Sequence, residues 1–392
     1  MHTHHRLSFT ATGLTLAAAL AGGCLADAGD EGLATDDVAT AEEAIQAGGG
    51  TAPIAGIIKI DVIGQADTHT GLLLSPGLVL TSGRWMSWQT TPSNVTATSG
   101  PGSSSPQVRT ARFVNSSSYF PEAIAQVPPF TGGHANTVPI DTRSSAALLG
   151  VTLRCYEYVG NQLRWADMRV AAASGDDLTL APVFGTVEDA DAGAPCLDLS
   201  TYTAVAMVSS GPPVGPAKAH RLGGMQPWFD GMRNLFDTRN ASSSSRLALY
   251  TIAPNGSQMC LDIPWGSPFD HEALNVYPCH FAPAQRFWLD YRVDAGRPRL
   301  VSDSSGRCAD VPSSSLVSGT NYQQFGCHAG WNQRFELSIW NDAIGGWKLK
   351  PAHAPAQNLC LSVEGGPSNV SVPTEQRTCV GTQDQRWWPR WL

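Results

Sequence analysis

CLDI (260–263), CADV (308–311) and CLSV (360–363) open three copies of one unit in the last third of the chain. A second cysteine follows each by 19 residues, at Cys279, Cys327 and Cys379, and six residues further on stands a glutamine, in QRFW (285–288), QRFE (333–336) and QRWW (385–388). Intervals of 48 and 52 residues between copies mean one supersecondary unit used three times. A unit of this length cannot bury its own apolar face, so the three must share a core around a pseudo-threefold axis. The spacing suits a disulfide inside each unit, pairing Cys260 with Cys279, Cys308 with Cys327 and Cys360 with Cys379. Each closes a loop of about 20 residues, worth roughly 3 kcal/mol if the constraint acts on the unfolded chain. Polar runs such as Pro264-Trp265-Gly266-Ser267 and Gly365-Gly366-Pro367-Ser368 read as turns between short strands. No stretch here keeps helical periodicity.

At these residues the segment 247–392 resembles the ricin-B or R-type lectin family, whose domain is a β-trefoil with a C-x-D-V opening and a Q-x-W closing in each repeat. The resemblance implies binding of glycans, with galactose-type sugars common among other hexoses. A sugar ring presents a weakly apolar face and a rim of hydroxyls, so a shallow site needs an aromatic platform and a carboxylate that accepts from neighbouring hydroxyls. Carried over from the family, those roles fall in the second repeat on Asp310, Gln323, Phe325 and Asn332. The first repeat offers Asp262, Asn275 and Tyr277, but Ala284 stands where the asparagine should be, and the site reads as weakened. Ser362, Glu375, Arg377 and Asp384 replace the set in the third repeat, which reads as structural. Gln285, Gln333 and Gln385 are expected to tie down backbone at the closing turns, and Phe287, Phe335 and Trp387 to lie in the core. One shallow site reaches only about mM affinity, so useful retention calls for two sites or many tethered copies.

Toward the N-terminus the character of the chain changes. Eight of the twelve tryptophans lie after residue 260, and the polar run around NASSSSR (240–246) makes residues 238–246 a linker. From 45 to 237 the pattern is short apolar runs rich in Val, Leu, Ile and Thr, among them Ile54 to Val62, Gly71 to Thr81, Val151 to Val159, Leu178 to Phe184 and Thr203 to Val208, with Gly and Pro between them. Strands at this spacing point to an all-β barrel or sandwich, and Pro227 to Phe236 to a terminal helix.

THTGLLLSPGLVLTSGRWM (68–86) and EDADAGAPC (188–196) resemble the histidine stretch and the nucleophile loop of trypsin-like serine proteases. The resemblance implies a double β-barrel. It places Arg84 at the catalytic base, Ala192 at the nucleophile and, in AIAQV (123–127), Ala123 at the third acid, with His69 and Trp85 replacing a family disulfide together. An arginine stays protonated above pH 12 and cannot accept a proton; an alanine has no oxygen with which to attack a carbonyl. The domain therefore reads as a pseudo-protease without catalytic residues, and an oxyanion hole near Ala190 and Ala192 would have no acyl-enzyme to hold. His134 and His220 fall outside the family motifs and read as surface or core residues. A Cys155–Cys196 disulfide is implied by the same resemblance: the two cysteines are shifted from the family positions by equal and opposite amounts on neighbouring antiparallel strands. Asp191 stands where active members pair an aspartate with the amine freed by activation cleavage; Ala44, before Ile45, offers no trypsin-type cleavage site.

Arg6 followed by the apolar run Leu7 to Ala21 reads as a secretory leader within residues 1–24. Ala21-Gly22-Gly23-Cys24 resembles a bacterial lipobox, with Cys24 lipidated; nine cysteines leave one over, and this one would be it. Ordinary cleavage after Ala21 is the alternative. Residues 25–44 carry seven acids and no basic or aromatic residue, the composition of a solvated tether. They hold most of the formal charge of −8, leaving the folded part near neutral and arguing against nucleic acid as a partner. No metal-ligand spacing or cofactor motif is evident. The expectation is an exported carbohydrate-binding protein, an outer-membrane or cell-surface lipoprotein or else secreted, in which an inactive trypsin-like domain precedes the trefoil. The alternatives are a serine hydrolase with a relocated triad, targeted to glycans, and a surface scaffold that binds no sugar.

Overall fold

The computed structural model describes residues 54–86, 89–116, 119–187, 191–211, 215–236, 246–368 and 370–392. The leader, Cys24, the acidic stretch, Ala190 and residues 238–245 of the linker lie outside them. All the described residues fall in one compact unit. Among them no helix is long and apolar enough to cross a membrane.

Seven strands form the first sheet: β1 (Ile57–Val62), β2 (Thr68–Ser75), β3 (Leu78–Ser82), β4 (Val95–Ser99), β5 (Gln107–Thr110), β6 (Phe113–Ser116) and β7 (Glu122–Gln126). They run antiparallel in the order β5-β4-β1-β2-β3-β7-β6, a nearly closed barrel. Six more, β8 (Thr152–Val159), β9 (Gln162–Ser174), β10 (Asp177–Phe184), β11 (Pro195–Asp198), β12 (Thr203–Ser210) and β13 (Ala217–Arg221), close a second barrel. The apolar runs of β1 to β3 are continuous rather than alternating because both faces are covered. Ile58, Ile60, Leu73 and Val79 fill the first barrel, while Ile57, Leu72, Leu74, Leu78 and Leu80 point into a separate core. Cys155 and Cys196 are direct partners on β8 and β11 and are disulfide-bonded.

Helix α1 (Gln226–Phe236) follows the second barrel and buries Trp228, Phe229, Met232, Leu235 and Phe236. The core it packs into also holds Phe113 and Phe120 of the first barrel, Tyr156 and Met207 of the second, and Trp288 and Val301 of the trefoil. One apolar core thus crosses both domains. At the crossing, the Trp228 indole N–H donates to the Ser304 carbonyl at 2.8 Å and Asn115 Nδ2 to the Asp303 carbonyl at 2.8 Å. The fully buried Asp303 carboxylate accepts from the Trp288 indole at 2.8 Å and stands 3.5 Å from Arg246. Arg246 in turn lies over Phe113 of the first barrel. Gly231 of α1 and Gly306 approach backbone to backbone, so closely that a Cβ on either would overlap the other segment.

The trefoil strands begin at Arg246–Ile252 and end at Trp388–Trp391, and these two pair with each other. Phe287, Phe335 and Trp387, one from each repeat, meet fully buried at its centre with Leu261, Leu361, Ile263, Val311 and Val363. Each repeat carries its own disulfide, Cys260–Cys279, Cys308–Cys327 and Cys360–Cys379. The closing glutamines hold the turns: Gln285 Oε1 accepts from the backbone of His280 and Phe281, and Gln385 Oε1 from Val380 and Gly381. The fold is all-β apart from α1: two barrels, then a β-trefoil.

Candidate functional site

In the second repeat, strands Cys308–Asp310 and Gln323–Phe325 pair with Asp310 opposite Gln323 and Cys308 opposite Phe325. Side chains two apart on a strand share a face, so Gln323 and Phe325 stand side by side. Gln323 Nε2 donates to Asp310 Oδ1 at 2.9 Å, and Asn332 Nδ2 to Oδ2 at 2.7 Å. Gln333 reaches the same Oδ2 at 3.1 Å while bonding the Gly326 carbonyl, so the closing glutamine of this repeat also supports the carboxylate. Three amide donors occupy three of about four acceptor directions of a carboxylate, leaving one on Oδ1. Burial raises the Asp310 carboxyl above the usual range, and the bonds from Gln323 and Gln333 oppose that shift.

Two histidines that the sequence reading missed complete this cluster. His271, from the first repeat, bonds Gln323 Oε1 through Nδ1 at 3.0 Å and packs against the Phe325 ring at 5.0 Å. His328 takes the Gly330 N–H on Nδ1, which fixes its proton on Nε2, and Nε2 stands 3.6 Å from Asp310 Oδ2. The signal for the second was present: a histidine follows the second cysteine in CH at 279–280 and 327–328, whereas the third repeat has Val380 there. His280 repeats the geometry, with Nδ1 accepting from Ala282 and Nε2 at 3.7 Å from Asp262 Oδ1.

The first repeat is assembled differently. Asn275 lies opposite Asp262 on the paired strand, but its amide donates to Ser371 Oγ at 2.8 Å, so it does not serve the carboxylate as Gln323 does. Asp262 Oδ1 is buried without a hydrogen bond, and burial raises this carboxyl to about 7. Tyr277 is 45% exposed. A folded-state pKa raised above the unfolded value of about 3.9 means the stability tied to the neutral form is complete below pH 4 and is lost as pH rises through 7. Asp262→Asn should therefore flatten the fall in thermal midpoint between pH 4 and 8, measured against the parent protein; an unchanged slope would assign that fall elsewhere. In the third repeat Ser362 donates to Asp384 at 2.5 Å and Arg377 pairs with Glu375 at 2.7 Å, so the local charges close on one another.

In the barrels, Arg84 lines a cleft of about 320 Å³ together with Ser82, Ser116, Phe120, Glu122 and Ser209. The neighbouring Trp85 donates its indole N–H to the carbonyl of buried Ala192 at 2.7 Å, which brings the segments 68–86 and 191–196 together. His69 and Trp85 stack at 4.4 Å and 13°. Burial lowers His69 to about 4, so the stack is neutral near pH 7. Ala123 faces the interior of the first barrel; the acid at the cleft is Glu122, one residue earlier. Glu122 is buried and bonds His220 Nδ1 at 3.2 Å, so His220 is a buried, paired residue, and His134 contacts Ser99 at 3.1 Å. Among the described residues no serine or threonine hydroxyl is bonded to the His220 ring. Nor does any group of three or more His, Cys, Asp and Glu side chains among them fit a metal ion.

Residues 236–325 match the family model described as ricin-type beta-trefoil lectin domain-like. A designed threefold-symmetric protein, ThreeFoil, is 26% identical over 38% of this chain and 99% of its own, with a TM-score of 0.34. Scabies mite inactivated protease paralogue S-D1 is 13% identical over 47% of this chain and 92% of its own (TM-score 0.39), and a mutant of human heparin binding protein is 15% identical over 50% and 99% (TM-score 0.42). No curated protein matches the sequence significantly. From the end of α1 to Phe325 within the second repeat, the chain is similar to ricin-type β-trefoil lectins.

Proposed function

We propose that this is an exported glycan-binding protein, with galactose-type or other hexose-containing polysaccharides as ligands, in which the barrel pair has no catalytic turnover. Asp310 carries the reading: Gln323, Asn332 and Gln333 orient its carboxylate beside Phe325. A sugar stacked on Phe325 can donate one hydroxyl to the unfilled acceptor direction of Oδ1 and exchange bonds with the amides. Asp262 and Tyr277 supply a second, weaker site in which Asn275 is turned away. Two sites on one chain, multiplied by a lipid anchor at Cys24 that gathers copies on a membrane, would turn mM contacts into retention. The domain limits that go with this reading are a leader at 1–24, a tether at 25–44, barrels at 45–237, a linker at 238–246 and the trefoil at 247–392.

The whole protein should be retained on immobilised galactosides, and Asp310→Ala should weaken that retention roughly 10- to 100-fold, the range for losing a hydrogen bond to a charged group. Asp262→Ala should weaken it less. Absence of retention on any of a broad glycan panel would favour the scaffold. A hydrolase reading draws on the Glu122–His220 pair beside the cleft; Arg84 and Ala192 at the base and nucleophile positions argue against it. Labelling by a fluorophosphonate probe would support the hydrolase, and none is expected.

A further inference from the structure

The second-repeat site does not stand alone on its surface. The segment 267–271 of the first repeat is clamped onto the second: Gln324 Nε2 donates to the carbonyls of Ser267 and Phe269, both at 2.7 Å, and the His271 N–H donates to the Gln324 carbonyl at 2.9 Å. Asp270 accepts from the Gly326 N–H at 2.7 Å and pairs with Arg307. At one end this clamped segment places His271 against Phe325. Two residues earlier, Phe269 meets Tyr119 of the first barrel edge to face at 5.3 Å, and Tyr119 meets Phe120 at 5.0 Å. Phe120 is a wall of the cleft that holds Arg84. Two ring groups, Phe325 with His271 and Phe269 with Tyr119 and Phe120, therefore lead from the second-repeat site to the barrel cleft, joined by the clamped backbone between Phe269 and His271. The middle of this row is open to solvent, with Phe269 37% and Tyr119 48% exposed.

We infer that this row is an extended binding surface for a linear glycan, whose terminal sugar sits at Asp310 while the following sugars cross Phe269 and Tyr119 and the far end enters the cleft. The inference rests on the glycan-binding reading of the second repeat. Exposed rings in series match the successive apolar faces of a sugar chain, and Ser82, Ser116 and Ser209 line the cleft with hydroxyls that can exchange bonds with those of a glycan. Because backbone bonds hold 267–271 and the domains share a core, the row exists before the ligand arrives and little ordering opposes binding. The barrels then act as the far subsites of the lectin.

Calorimetric titration of the whole protein with galactose and with linear galacto-oligosaccharides from disaccharide to hexasaccharide tests this. Affinity should rise with length beyond the disaccharide. Phe269→Ala and Tyr119→Ala should each cost roughly 3- to 10-fold on the hexasaccharide, the scale of one aromatic contact, and leave galactose unchanged. Asp310→Ala should weaken every member. Equal affinity at all lengths would overturn the extended surface while keeping the galactose site. A gain seen only with a galactosylated peptide of matched reach would overturn it in favour of a peptide in the cleft. Failure of every member to bind would remove the galactoside reading and this inference together.

Discussion

Gly231→Ala should lower the thermal midpoint of the whole protein by roughly 6–12 °C, taking about 3 kcal/mol for forced overpacking and about 2–4 °C for each kcal/mol. The sign is the informative part. In an ordinary helix interior, alanine in place of glycine stabilises by nearly 1 kcal/mol. Here the added methyl has nowhere to go, because the obstacle is the Ser305 carbonyl and the Gly306 backbone rather than a side chain that can rotate away. Gly133→Ala, where nothing lies within 4 Å of the added carbon, serves as the control and should leave the midpoint near that of the parent. Scanning calorimetry reads both, and a Gly231→Ala protein melting at or above the parent would refute the close crossing of α1 and the trefoil.

Asp303→Ala should cost about 3–5 kcal/mol of unfolding free energy, the scale for stripping one partner from a buried charged pair. Two donors lose their acceptor together, the Trp288 indole at 2.8 Å and the Arg246 guanidinium, which is held over Phe113. Burial pushes the Asp303 carboxyl upward and Arg246 pulls it back, so the carboxylate depends on the arginine as much as the reverse. Asp303→Asn keeps an acceptor for Trp288 and should fall between the parent and the alanine variant. Guanidinium unfolding followed by tryptophan fluorescence measures the series. Equal stability of all three would show that the charge at this junction contributes nothing.

The trefoil was legible because its information is local and repeated: a disulfide, a closing glutamine and a core aromatic recur at fixed offsets, and Phe287, Phe335 and Trp387 do meet in one core. The expected Asp310 neighbours come together for the same reason. His271 was not legible, since its place depends on a segment of one repeat folding over another through Gln324. The register of β7 shows a different limit. Side chains alternate along a strand, so a shift of one residue exchanges the two faces. Ala123, read at the third-acid position, faces the barrel interior, and the buried pairing of its neighbour Glu122 with His220, 98 residues away in sequence, went unseen. The junction was hidden as well. Trp288 looked like part of a closing motif, QRFW, and nothing near it in the chain announces that its ring belongs to the core beneath α1.

That common core limits how these domains can be inherited. A trefoil recombined onto another protein would arrive with Trp288 and Val301 uncovered and with Asp303 missing its outside donor, Asn115. The barrel pair, detached, would keep a helix whose Trp228 has no Ser304 to bond. Neither half is a freely transferable module, because each would expose a face of the common core that only the other half covers.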